Sequence, residues 1–254
     1  MIGRRLAAGV LCLLLLLGCL AVTAPAHLVA WLAPPGQLSA QGFSGSLWQG
    51  EASRVVLATE AGPLHLGEVG WRLNPWSLLT LAPRLAIDSR WGEQQLQTGL
   101  VLYGADHIGL RDLHLTLDAS LLRHLVPVAL SGRLTLDATL LQLRRGLPVE
   151  AEGRLVWQQA GWESPRGPLA LGSYALDARQ SASGPLTAEL LTLAGPVQAQ
   201  GQLQLRDSHY SIALQIESET AWDPALQEAL ALLARPVGAT YQLQLEGQLQ
   251  LPGE

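Results

Sequence analysis

The chain has 254 residues, of which 48% are hydrophobic and 15% charged, and its formal net charge is −5. This length allows one large domain with a substantial core, and an acidic chain without a basic stripe is not typical of a nucleic-acid-binding protein. Both cysteines, Cys12 and Cys19, lie near the N-terminus, so the remainder cannot be stabilised by disulfides.

An uncharged, apolar run covers residues 6–22 and follows Arg4 and Arg5. The apolar character continues to residue 32, and about 20 such residues are enough to span a bilayer. Since the next basic residue is Arg54, the positive-inside bias places the N-terminus in the cytoplasm. We therefore predict a cytoplasmic start and single transmembrane anchor over residues 1–33, followed by a periplasmic β-rich domain over residues 34–254. The predicted location is the bacterial inner membrane.

Two other interpretations of this N-terminal stretch remain open. It resembles a cleaved signal peptide with a small-residue site at Ala24-Pro25-Ala26, although Pro25 and the length of the run argue against it. Alternatively, Leu-Leu-Gly-Cys at residues 16–19 resembles a lipoprotein cleavage box. In that case Cys19 would carry a lipid.

Period-two alternation dominates the chain from residue 64 onward. It places one set of side chains on each face of a strand, as in the two segments that contain Leu113, Leu115 and Leu117, and Ile212, Leu214 and Ile216. About eleven such segments, joined by short Gly, Pro or polar turns, are recognisable. They predict a mainly β fold, namely one large, curved, predominantly antiparallel sheet domain.

Three short helices are expected between the strands. Asn74 followed by Pro75 is a favourable start for the first, over residues 76–81, and Asp118 can cap the second, over residues 119–125. The third begins at Asp223-Pro224 and ends before Pro236. A loose Pro-Val…Gly repeat, whose glycines include Gly132, Gly153 and Gly201, predicts a meander that bends at glycine.

The chain lacks the patterns that carry common chemistry. It contains no Gly-x-Ser-x-Gly elbow, no phosphate-binding glycine loop and no Cys/His cluster at zinc spacing. Asp112, His114 and Asp118 would share one face of a strand, where a metal or acid–base site is the minority interpretation and a solvated face the preferred one. We therefore predict no catalytic residue, no cofactor and no metal, and a protein that is not an enzyme.

The apolar face and the tryptophans are the more informative features. The alternating leucines form either a closed core or a groove for acyl chains, because both need the same pattern. Trp48, Trp71 and Trp76 are expected to shape the membrane-near end of the domain. Their first role would be structural, with Trp48 a buried ring, and their second an interface.

Several short segments match a known pattern: Gly-Ser-Leu-Trp-Gln-Gly at residues 45–50, Val-Gly-Trp-Arg-Leu-Asn-Pro at residues 69–75, Leu-Ser-Gly-Arg-Leu at residues 130–134, and Gly-Gln-Leu at residues 247–249. With the single anchor, they resemble the type II secretion system protein N family, also called general secretion pathway protein N, of Gram-negative bacteria. The resemblance covers nearly the whole chain.

This resemblance implies a non-enzymatic accessory component of the type II secretion machinery. Such a component would be anchored in the inner membrane and would act through contacts with other secretion subunits of the inner membrane and periplasm during export of folded proteins. The alternative is a periplasmic lipid-binding or lipid-transfer module, because an anchored, leucine-rich sheet is also similar to AsmA-like and TamB-like proteins. Lipid is therefore a second candidate partner, and nucleic acid is not expected.

Overall fold

The computed structural model describes residues 23–28, 38–59, 62–104, 106–124, 128–164, 166–182 and 184–249. They group into two compact units, and the boundary between them in the chain follows Trp91. The first unit contains strands β1 to β4 and the second contains strands β5 to β14.

The first unit is a four-stranded antiparallel sheet in sequence order: β1 (Leu38–Gly45), β2 (Gln49–Thr59), β3 (Gly62–Leu73) and β4 (Arg84–Trp91). A 3₁₀ helix, η1 (Ala26–Leu28), precedes it, and a second, η2 (Pro75–Thr80), connects β3 to β4. The core contains Ala26, Ala52, Val55 and Trp71. The small side chains of η1 and β2 thus leave room for the Trp71 ring.

Residues 23–28 close one end of this unit. The Leu47 amide donates a 2.8 Å hydrogen bond to the Ala24 carbonyl oxygen, and Pro25 forms an isolated bridge with Ser46. Ala24 and Ala26 are buried. This part of the predicted anchor segment therefore belongs to the folded unit, because its small apolar side chains fit the core at the β1/β2 turn.

The second unit is an antiparallel sheet of ten strands in the described residues. Strands β5 to β12 lie in sequence order; β14 then pairs with β12, and β13 pairs with the outer side of β14. The strands are β5 (Gln94–Leu102), β6 (His107–Asp118), β7 (Leu130–Arg144), β8 (Leu147–Ser164), β9 (Gly167–Gln180), β10 (Leu186–Ala194), β11 (Val197–Arg206), β12 (His209–Ser218), β13 (Arg235–Val237) and β14 (Thr240–Gln248). The 3₁₀ helix η3 (Ala119–His124) follows β6, and α1 (Pro224–Leu233) follows β12.

The prediction of a mainly β, antiparallel fold with a few short helices is confirmed. The Asn74 side chain accepts from the Trp76 amide at the start of η2, and the Asp223 side chain caps α1. Two of the three predicted helices are 3₁₀ rather than α-helical. With six residues each, they are longer than the three or four residues that a 3₁₀ run usually has.

The predicted transmembrane anchor covers residues 1–33, of which residues 1–22 and 29–33 lie outside the described residues. Among the residues that are described, no helix has the length and apolar character needed to cross a bilayer.

Candidate functional site

A continuous cross-strand row of apolar residues runs over one face of the second unit. Residues directly opposite each other in an antiparallel sheet point to the same face, and the register places one such residue on every strand from β5 to β12 and on β14. We call this set the leucine row: Leu96, Leu115, Leu136, Leu155, Leu176, Leu190, Gly201, Leu214 and Leu243.

The other predicted apolar positions lie on the same face in two flanking rows. One connects Leu113 to Ile212 through Ala138, Gly153, Ala178, Ala188 and Leu203. The other includes Leu117, Leu134, Trp157 and Tyr174 on strands β6 to β9, and Ile216 with Tyr241 on β12 and β14. The structure thus brings all six predicted leucine and isoleucine positions onto one surface.

This surface remains partly open to solvent. Leu113 is buried, whereas Leu115, Leu117, Ile212, Leu214 and Ile216 are only partly buried. Within the described part of the second unit, strands pack mainly on neighbouring strands, η3 packs on β7, and α1 contacts the edge strand β13. The residues of the leucine row are partly buried rather than enclosed, so the row has the character of a binding surface.

Gly201 interrupts the leucine row at β11. A Cβ atom at this position would lie only 2.1 Å from the Ala213 carbonyl oxygen and 2.8 Å from a methyl carbon of Leu214. The β11 backbone therefore comes close to β12 at this point. A depression of about 430 Å³ surrounds Gly201, and its lining combines Leu190, Leu214 and Leu243 with polar neighbours on the same strands, including Glu189, Gln200, Gln215 and Gln242.

The opposite face carries a row of polar and charged side chains. His114, Asp137, Arg154 and Asp177 lie directly opposite one another on β6, β7, β8 and β9. His114 Nδ1 is 2.5 Å from an Asp137 carboxylate oxygen, and Arg154 Nε is 3.1 Å from one of Asp177. Since these side chains are largely solvated, each pair is worth at most about 1 kcal/mol. This face is therefore well solvated, and its paired side chains contribute little to stability.

Of the three polar residues considered for a metal or acid–base site, His114 and Asp118 have separate partners. His114 contacts Asp137. The Asp118 carboxylate accepts a 2.8 Å hydrogen bond from the Ser120 amide at the start of η3, and its interactions with Ser120 lower the pKa of Asp118. In the described residues, no group of three or more His, Cys, Asp or Glu side chains could hold a metal ion.

The three predicted tryptophans occupy different environments in the first unit. Trp71 is buried, its Nε1 donates a 3.2 Å hydrogen bond to the Leu47 carbonyl oxygen, and its ring meets the edge of Phe43 at 6.3 Å. Trp48 is partly buried. Trp76, in η2, is 75% exposed. Trp71 is therefore a packing residue, whereas Trp76 presents its ring to the surroundings.

Sequence reasoning missed two neighbours of Trp76. Leu79 and Leu81 are 77% and 87% exposed, which is unusual for leucines so close together. A signal was available, since residues 74–83 contain no charged side chain and begin and end near prolines. We call residues 74–83 the apolar loop. Like the leucine row, it is an apolar surface of the described residues.

A comparison with known protein families shows the family to which the chain belongs. A family model described as type II secretion system (T2SS), protein N, matches residues 36–252. The chain belongs to the type II secretion system protein N family. The match includes every strand of both units, and the family resemblance noted in the sequence is thereby confirmed.

Two curated relatives agree with this protein N affiliation. Both are named type II secretion system protein N. The one from Aeromonas hydrophila is 30% identical over 244 residues, covering 92% of this chain and 94% of the relative. The one from Vibrio cholerae serotype O1 is 30% identical over 230 residues, covering 85% and 86%. No solved structure matches the chain. As a protein N family member, it is a component of the type II secretion machinery.

Proposed function

We propose that this protein is an inner-membrane-anchored, periplasmic accessory component of type II secretion, which acts through contacts with other secretion subunits during export of folded proteins. The observation that carries this proposal is the family match over residues 36–252. The uncharged run at residues 6–22 supplies the anchor, because its length suits a bilayer span. The folded part follows directly after it.

The geometry of the second unit favours the binding of a partner over a catalytic role. The partly open leucine row and the solvated charged face lie on opposite sides of the same strands. A surface that is apolar at its centre and bordered by polar residues is typical of protein interfaces. The second unit therefore has a face on which an extended partner can lie across many strands.

Deleting the gene in the native host and measuring export of secreted hydrolases tests this function. Export should fall and should be restored by the wild-type gene. The variant Leu214→Glu, on the leucine row, should not restore it. Ala213→Glu is the matched control, because Ala213 is the preceding residue on β12 and is exposed on the opposite face.

The proposal would be wrong if export were unchanged after deletion and no crosslinks formed between this protein and secretion subunits. The anchor has its own test, which is mass spectrometry of the mature N-terminus. An intact chain supports the retained anchor, and a diacylglyceryl group on Cys19 contradicts it. Limited proteolysis and circular dichroism of both β12 variants establish that each one is folded.

A second candidate function is binding of lipid acyl chains, favoured by one observation. The exposed apolar surface consists mainly of leucine side chains, which adapt to flexible chains without specific polar contacts. Native mass spectrometry of the purified protein would detect retained lipid. Absence of lipid, and no uptake from labelled vesicles, would eliminate this candidate and leave the protein-contact function intact.

A further inference from the structure

The apolar loop exposes three large apolar side chains and buries one polar side chain. Trp76, Leu79 and Leu81 are exposed, whereas Ser77 is buried at 5% exposure. A short surface loop in water normally shows the opposite arrangement, with polar side chains outside. The exposed side chains therefore call for an apolar environment outside the protein.

Several polar groups of the loop form hydrogen bonds within the protein. Ser77 Oγ donates to the Asn74 carbonyl oxygen at 2.5 Å and accepts from the Arg84 amide at 2.8 Å. The Asn74 side chain accepts from the Trp76 amide at 3.0 Å, and the Leu81 amide donates to the Leu78 carbonyl oxygen at 3.2 Å. Because these groups do not depend on water, the loop can enter an apolar medium at low cost.

The apolar loop lies at the same end of the first unit as Ala24. The Leu73 amide, just before the loop, donates a 2.7 Å hydrogen bond to the Trp48 carbonyl oxygen in the β1/β2 turn. The same turn receives Ala24 through the Leu47 amide. Ala24 follows the run at residues 6–22 by two positions, a reach of at most about 7 Å. If the run spans the bilayer, this end must face the membrane surface.

We propose that the apolar loop inserts into the outer interface of the bilayer that holds the anchor, so that the first unit is attached to the membrane at two places. Tryptophan prefers the interfacial zone, where its ring is apolar on one side and polar on the other. Arg72 and Arg84 flank the loop and are exposed, which places cations where anionic headgroups would lie. The inference rests on the proposed anchor and adds a second contact that fixes orientation.

The test uses the full chain in vesicles of phosphatidylethanolamine and phosphatidylglycerol, with Cys12→Ala and Cys19→Ala as background. One variant carries Leu79→Cys, labelled with an environment-sensitive fluorophore, and the matched control carries Arg90→Cys. Arg90 is exposed near the other end of β4 in the same unit. Quenchers attached to the lipid chains should reduce fluorescence severalfold more at position 79 than at position 90.

Each outcome has one consequence. Flotation with the vesicles and selective quenching at position 79 supports the inference. Flotation with equal quenching at positions 79 and 90, or with no quenching at either position, overturns the inference. This result remains consistent with the proposed anchor. Protection of position 79 that requires added secretion subunits overturns it in favour of a protein partner. Absence of flotation overturns both the proposed anchor and the inference. The role in secretion is tested separately, by the loss of export on gene deletion.

Discussion

The hydroxyl of Tyr174, on β9, donates a 2.9 Å hydrogen bond to the carbonyl oxygen of Val197, on β11. The two strands are separated in the sheet by β10, which ends at Ala194 just before the β10/β11 turn. The Tyr174 side chain thus ties the turn to a strand that is not its direct neighbour. Its ring also contacts Trp157 at a centroid distance of 6.1 Å.

Replacing Tyr174 with Phe should lower the free energy of unfolding by about 1 kcal/mol at neutral pH, because the Val197 carbonyl loses a buried donor. Urea unfolding followed by circular dichroism measures this difference. Thr187→Val, which removes an exposed hydrogen bond from Thr187 Oγ1 to the Arg179 carbonyl oxygen, serves as a nearby control. An unchanged unfolding midpoint in Tyr174→Phe would show that the hydrogen bond contributes nothing net.

The same substitution should change the response to alkaline pH. Burial raises the pKa of Tyr174 to about 12 from its ordinary value of 10.0, so the unfolded chain loses this proton first. The stabilisation is complete below about pH 10 and is lost as the pH rises towards 12. The gap in stability between wild type and Tyr174→Phe should therefore narrow over this interval. A gap that is constant with pH would contradict the assigned burial.

Trp71 and Trp76 should differ sharply in their effect on stability. Trp71→Ala removes a buried ring and should cost about 3–5 kcal/mol. Trp76→Ala removes an exposed ring and should change the free energy of unfolding by less than about 0.5 kcal/mol. Thermal unfolding in detergent measures both. A large loss in Trp76→Ala would mean that its ring packs on the protein.

Gly201 should not accept a side chain. In Gly201→Ala the new methyl group would overlap the Ala213 carbonyl oxygen, so β11 and β12 must shift, at a cost of about 1–3 kcal/mol. Gly99→Ala is the matched control on β5, where the nearest atom would lie at an ordinary 3.6 Å. Chemical denaturation of the two variants gives the comparison. Equal stability would show that the strands separate without strain.

Ser77→Ala should loosen the apolar loop. The substitution leaves the Arg84 amide without the hydroxyl that accepts its hydrogen bond, and the expected loss is about 1–2 kcal/mol. Hydrogen exchange at the Arg84 amide should accelerate, whereas Ser39→Ala, at an exposed position on β1, should leave it unchanged. Exchange that does not respond to Ser77→Ala would show that the hydroxyl is not the partner that protects this amide.

Local sequence patterns predicted much of the fold. The alternation of Leu113, Leu115 and Leu117 predicted their common face, and the Asn74 and Asp223 caps predicted where two helices begin. These features depend on residues a few positions apart, which a single sequence contains directly. The polar use of His114 and Asp118, on the solvated face, agrees with the preferred interpretation of that segment.

The alignment of leucines between strands could not be predicted in this way. Alternation places Leu155 on a face, but a shift of the register by two residues would keep that face and give it different partners. The exposure of Trp76 was missed for another reason. A tryptophan is usually assigned to a core, and only the hydrogen bonds of Ser77 show that this loop turns its polar groups inward.

The strand order has a consequence for synthesis and export. From β1 to β4, and again from β5 to β12, each strand pairs with the one just before it in the chain. Closing such short connections costs little entropy, and contacts of low sequence separation form quickly. Pairing can therefore proceed strand by strand as the polypeptide emerges, before its C-terminal residues are available.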